Sequence, residues 1–163
     1  MTRTTEQRLG SSFRDPSGFL FVRGSQLLRQ VQPGYREEYD ALLETGLYQA
    51  LIEQELLVPH REVGLDQALT AGAYRVIAPE RVPFVSYPYE WCFAQLKHAA
   101  LVTLRIQEIA LGKGMSLKDA SAYNVQFRGG KPVLIDTLSF ERYREGRPWI
   151  AYRQFCQHFL APL

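Results

Sequence analysis

Apolar positions between Glu37 and Val58 fall at Tyr39, Leu42, Leu43, Leu47, Leu51, Ile52, Leu56 and Leu57, a spacing of about 3.6 that predicts one or two helices with Gly46 as the break. A longer helix is expected over Trp91–Leu111, where Phe93, Leu96, Ala100, Leu101, Leu104 and Ile109 form a broad stripe and Gly112 and Gly114 supply the stop. Shorter β-like runs surround these helices. Gly18–Arg23 and Gln26–Val31 flank Gly24-Ser25 and read as a hairpin with a tight turn. Tyr74–Ala78 and Val82–Tyr87 read as two more strands joined by Pro79-Glu80-Arg81, with Pro83 confined to a strand start or edge. Tyr87-Pro88-Tyr89-Glu90 then stops the second run. Between Ser116 and Phe140 two apolar strands are joined by a turn containing Gly129-Gly130, and Pro148–Leu160 resumes a helical pattern crowded with aromatics. Residues 1–17 are polar, with Gly, Ser and Asp-Pro punctuation, and read as a mobile lead-in.

At 163 residues the chain has about the length of one domain, and with 46% hydrophobic residues it has the material for a packed core. A formal net charge of +2, with no run of Lys or Arg, gives no basic face for nucleic acid. The N-terminus lacks the apolar core of a signal peptide, and the apolar region from Ala94 to Leu111 is interrupted by Lys97, His98, Arg105 and Glu108, so no membrane span is expected. These features place the protein in the cytoplasm. Cys92 and Cys156 lie far apart and read as buried, reduced thiols, while His60, His98 and His158 form no metal-type spacing with each other or with the cysteines.

The chemistry concentrates in the stretch from Ser116 to Phe140. Asp119 is followed five positions later by Asn124, then by the hairpin, then by Asp136 at the end of its second strand. A three-residue loop of Gly129, Gly130 and Lys131 would set Asn124 directly opposite Asp136 on one face; a two-residue loop would put them on opposite faces. Asn and Asp oxygens suit a hard cation such as Mg²⁺, which takes one or two carboxylates and leaves other positions to water and phosphate.

The pattern Asp-x-x-x-x-Asn, hairpin, hydrophobic-Asp resembles the catalytic loop and metal segment of protein-kinase-like folds, antibiotic and small-molecule kinases above all. The resemblance implies an α+β, protein-kinase-like fold, with a small β-rich lobe and its helix over residues 18–90 and the start of a helical lobe over 91–163, incomplete in this chain. It implies Asp119 as the catalytic aspartate, Asn124 and Asp136 as metal ligands, and Mg²⁺ with ATP as the cofactors. Tyr89 and Glu90, in the hinge position, would meet the adenine. Two departures count against turnover. Leu117 stands where the family has His, and no lysine occurs before Lys97, leaving Arg29 as the phosphate-holding cation.

The wording of Ser86–Trp91, Leu117–Phe127 and Trp149–Leu163 further resembles the N-terminal region of a bacterial family of S-adenosylmethionine-dependent methyltransferases related to nodulation-type proteins. That implies a pseudokinase-like nucleotide, metal or regulatory module serving a downstream methyltransferase domain, which alone would bind S-adenosylmethionine. The alternative is an active ATP/Mg-dependent small-molecule phosphotransferase. An apolar final helix points the same way, toward a downstream domain or another subunit as partner.

Overall fold

The computed structural model describes residues 6–10 and 15–163. Of the stretch 1–17 expected as a mobile lead-in, residues 1–5 and 11–14 lie outside the described residues, whereas Glu6–Arg8 forms a strand, β1. Its backbone adds to the edge of the first hairpin, Leu9 N–H continues that pairing to the Leu20 carbonyl at 2.9 Å, and the Arg8 guanidinium lies 4.2 Å from the Phe19 ring centre. The chain divides into two compact units, residues up to Tyr39 with Pro59–Arg81, and Asp40–Val58 with Val82–Leu163. The division falls at Arg81, nine residues before the boundary drawn from sequence at Glu90, and residues 40–58 belong to the second unit.

In the first unit β2 (Gly18–Arg23) and β3 (Gln26–Val31) pair with Arg23 opposite Gln26, leaving the expected two-residue turn. Gly24 takes φ +61°, the left-handed conformation such a turn demands. With β4 (His60–Val63) and β5 (Arg75–Pro79) these strands make an antiparallel sheet of order β1-β2-β3-β5-β4 over a core of Phe19, Phe21, Leu28 and Val76. The hydrophobic pattern does not mark β4, because His60, Arg61 and Glu62 are polar. Polar contacts hold it instead: the buried Tyr39 hydroxyl donates to Glu62 Oε1 at 2.9 Å and stands 3.1 Å from His60 Nε2.

Burial pushes the His60 imidazole down to about 4. The unfolded chain, near the ordinary value of about 6.5, therefore takes a proton before the folded chain does. The stability gained from a neutral His60 is complete above about pH 6.5 and is lost as pH falls through about 4, a change of roughly 3 kcal/mol. Urea unfolding followed by far-ultraviolet circular dichroism at pH 7 and pH 4.5 is expected to show a larger loss for the wild type than for His60→Gln, which does not titrate.

The helix α1 (Arg36–Glu44) starts in the first unit and from Asp40 on belongs to the second, where it delivers Ala41 and Leu42 to the core and stops where Gly46 adopts φ +71°, as its sequence position suggests; α2 (Leu47–Glu53) follows. The long helix α3 (Phe93–Gly112) has its Cys92 N–H capped by Gln95 Oε1 at 3.0 Å. Then come β6 (Met115–Leu117), the hairpin β7 (Val125–Arg128) and β8 (Lys131–Leu134), β9 (Phe140–Arg142), and α4 (Tyr152–Phe155), which runs on as a wider π turn over Cys156–Leu160. Ile106, Ala110, Leu117, Val125, Phe140 and Phe159 belong to one core.

Two expectations fail here. Val82–Tyr87 is not a strand: Pro83 and Pro88 bring no N–H to a ladder, and Phe84 and Val85 face solvent. A single buried side chain supplies the pairing instead, Gln126 Oε1 accepting from Ser86 N–H and Gln126 Nε2 donating to the Ser86 carbonyl, each at 2.9 Å. Cys92 is exposed at the start of α3 and Cys156 is half-buried, so neither is the buried thiol expected, and both cysteines are free. Among the described residues no helix is long and apolar enough to cross a membrane.

Candidate functional site

The β7–β8 register sets Arg128 opposite Lys131 and Val125 opposite Leu134, so the loop is the two residues Gly129-Gly130. Both glycines have positive φ, +57° and +80°, the pair of left-handed residues that a tight hairpin turn needs. The three-residue loop is therefore not formed. Asn124 faces Ile135, whose N–H donates to the Asn124 carbonyl at 2.8 Å, and Asp136 falls one residue beyond this pairing.

The segments bearing Asn124 and Asp136 share one bonding partner. Ser139, fully buried, accepts at Oγ from Asn124 Nδ2 at 3.4 Å, donates its own N–H to the Asp136 carbonyl at 3.3 Å, and accepts at its carbonyl from Lys118 N–H at 2.8 Å. One serine thus ties the backbone of Asp136, the side chain of Asn124 and the residue beside Asp119. It escaped the sequence reading because a lone Ser after a turn carries no spacing signal.

Each carboxylate is fixed by its own backbone. Asp119 Oδ1 accepts from Ser121 N–H at 3.0 Å and Asp136 Oδ1 from Leu138 N–H at 2.8 Å, two turns of the type Asp favours. Asp119, Asn124 and Asp136 are all half-buried. The Asn124 amide nitrogen is committed to Ser139, which turns Oδ1 the other way as an acceptor. Asp and Asn oxygens are hard donors, the type Mg²⁺ takes. They do not make a protein-only cage: among the described residues no group of three or more His, Cys, Asp or Glu side chains could hold a metal ion. One carboxylate and one amide would suit an ion that brings phosphate oxygens and water with it.

The strand leading to Asp119 is held by side chains. Leu117 N–H donates to Gln107 Oε1 at 2.8 Å and the Leu117 carbonyl accepts from Trp149 Nε1 at 2.7 Å, while Gln107 Nε2 donates to Ser116 Oγ at 3.0 Å. Gln107 reads as part of the helical stripe's polar remainder in sequence, and only its burial reveals this role.

The remaining candidates are placed otherwise. Arg29, in the first unit, is buried on β3 and bonded through Nη2 to Asp15 Oδ2 at 2.6 Å, an ion pair that engages the guanidinium proposed for phosphate. Glu90 closes its own turn, Oε2 accepting from Tyr87 N–H at 2.7 Å. Tyr89 is exposed and its ring stacks on Tyr87, centroids 5.5 Å apart and 4° from parallel. Trp91 Nε1 donates to Ser86 Oγ at 2.8 Å and its ring meets Phe127 edge-on, so this segment is anchored to the same hairpin that carries Asn124.

Comparison with known proteins gives two findings and one blank. No family model matches the chain. Over 157 residues it is 41% identical to the nodulation protein NoeA of Rhizobium meliloti (strain 1021), an alignment covering 96% of this chain and 33% of that protein. The chain therefore spans about a third of the length of the curated relative it matches. Among solved structures it is similar to vaccinia related kinase 3, with a TM-score of 0.51 and 16% identity over 82% of this chain and 47% of that one. At that identity the likeness is one of fold, α+β with a small β-sheet unit and helices, in keeping with a kinase-like architecture.

Proposed function

We propose that this chain is a kinase-like module that binds a magnesium–nucleotide complex through Asp119, Asn124 and Asp136 and serves a larger protein as a binding or regulatory unit. The observation that carries the reading is the Ser139 network, which gathers the segments bearing all three side chains. Asp136 and Asn124 would hold the ion, and Asp119 would orient a hydroxyl. The ion's chemistry when bound is to neutralise phosphate charge. The chain's own residues fix the two carboxylates by backbone bonds and aim the Asn124 oxygen. Low turnover is expected, since Leu117 replaces the usual His, no lysine precedes Lys97, and Arg29 is engaged by Asp15.

The parent protein, on this reading, is a cytoplasmic methyltransferase related to the nodulation protein NoeA, with S-adenosylmethionine bound by residues outside this chain. The coverage of a third of that relative supports a longer parent. The chain alone is then expected to bind no S-adenosylmethionine.

Calorimetric titration with ATP and Mg²⁺ is expected to show binding that Asp136→Ala weakens more than tenfold, the scale of losing one charge-assisted contact. Mg²⁺ without nucleotide is expected to bind far more weakly. ATP binding that survives both EDTA and Asp136→Ala would remove the metal site.

A further inference from the structure

The segment from Ala120 to Asn124 belongs to no strand ladder, so its five backbone N–H groups must find partners one by one. Three are satisfied locally: Ser121 N–H by Asp119 Oδ1, Tyr123 N–H by Ser121 Oγ at 3.2 Å, and Asn124 N–H by the Ser121 carbonyl at 3.0 Å. The other two, on the buried Ala120 and Ala122, are met by the last helix. Ala120 N–H donates to Gln154 Oε1 at 2.7 Å and Ala122 N–H to His158 Nδ1 at 3.3 Å.

Because a backbone N–H only donates, His158 Nδ1 carries its lone pair and the ring proton resides on Nε2. The Ser121 hydroxyl, already accepting from Tyr123, then directs its own proton to the same Nδ1 at 3.1 Å. Tyr123 meets the imidazole edge-on, centroids 6.1 Å apart and 78° from parallel, which fixes the ring plane. Gln154 and His158 are four residues apart, and His158 lies in the π turn, where Ala161 N–H reaches back to the Cys156 carbonyl at 2.8 Å. Such turns inside helices recur at functional sites.

We infer that Gln154 and His158 are positioning residues: from the C-terminal helix they set the conformation of the loop that presents Asp119 and Asn124 to the ligand. The ligand half of this statement rests on the magnesium–nucleotide reading above; the loop half does not. The specific requirement is an acceptor at the Nδ1 position. His158→Asn keeps an acceptor there, His158→Gln moves its amide outward to the Nε2 position, and His158→Leu supplies none.

The test measures amide hydrogen exchange at Ala120 and Ala122 together with MgATP affinity in the wild type and these three variants. Exchange at Ala122 in the Leu and Gln variants is expected to rise about tenfold or more, and MgATP affinity to fall by a similar factor, with His158→Asn near wild type in both. Gln154→Leu is expected to act in the same way on Ala120. Should the Leu variant not fold, the Gln and Asn pair carries the comparison. Unchanged exchange at Ala122 in the Gln and Leu variants, or an Asn variant no better than Leu, overturns the inference. An exchange contrast in a protein that binds no MgATP supports the loop assignment and removes the nucleotide reading instead.

Discussion

Phe140→Ala is expected to destabilise the second unit by about 3–5 kcal/mol, the range for removing a fully buried aromatic ring. Phe140 is 0% exposed, stands opposite Leu117 in the β6–β9 pair, and belongs to the same core as Ile106, Val125 and Phe159. Few domains hold more than about 5–15 kcal/mol in total, so the variant spends a large share of what keeps the unit folded. Both tryptophans, Trp91 and Trp149, lie in this unit. Urea unfolding followed by tryptophan fluorescence therefore reports the effect directly. A loss below about 1 kcal/mol, the scale of an ordinary substitution, would mean that this ring is not part of the core.

Gln107→Leu comes second, at about 2–4 kcal/mol. The substitution nearly preserves volume but strands two buried groups at once, the Leu117 N–H and the Ser116 hydroxyl, and each unsatisfied group costs about 1–3 kcal/mol. Trp149→Phe is the instructive comparison. It removes only the donor to the Leu117 carbonyl, and an under-satisfied carbonyl is the more tolerable defect, so about 1 kcal/mol is expected beyond the change in ring size. Thermal unfolding in parallel ranks the two. Gln107→Leu is also expected to weaken MgATP binding, because β6 carries Lys118 to its bond with Ser139.

These two variants mark where the sequence was readable and where it was not. The helices around Gly46 and over α3 followed from their apolar period, and the first hairpin from Gly24-Ser25, because burial of one face and a turn residue of known conformation are local facts. The segment Val82–Tyr87 looked apolar enough for a strand, yet its prolines withhold ladder donors and a glutamine 40 residues away makes the pairing. The strand at His60–Val63 was invisible for the opposite reason, being polar and fixed by Tyr39 from a neighbouring helix.

At the site, the residue types and their order were legible, but the means of assembly was not. The cross-strand pair of Asn124 with Asp136 depended on a one-residue difference in loop length, and two glycines at positive φ chose the shorter turn. Ser139, Gln154 and His158 act through backbone bonds, which leave no spacing in the sequence. Arg29 and Glu90 had the right chemistry for ligands, but nearer partners engage them, Asp15 in one case and the Tyr87 amide in the other.

A cation position held by Asn124 and Asp136, with Asp119 beside it, is tested most directly by nuclear magnetic resonance of the isotopically labelled chain titrated with ATP and substoichiometric Mn²⁺. The paramagnetic ion is expected to broaden the amide signals of 119–124 and 136–139 together. Broadening of only one of the two segments, or none at either, would contradict it.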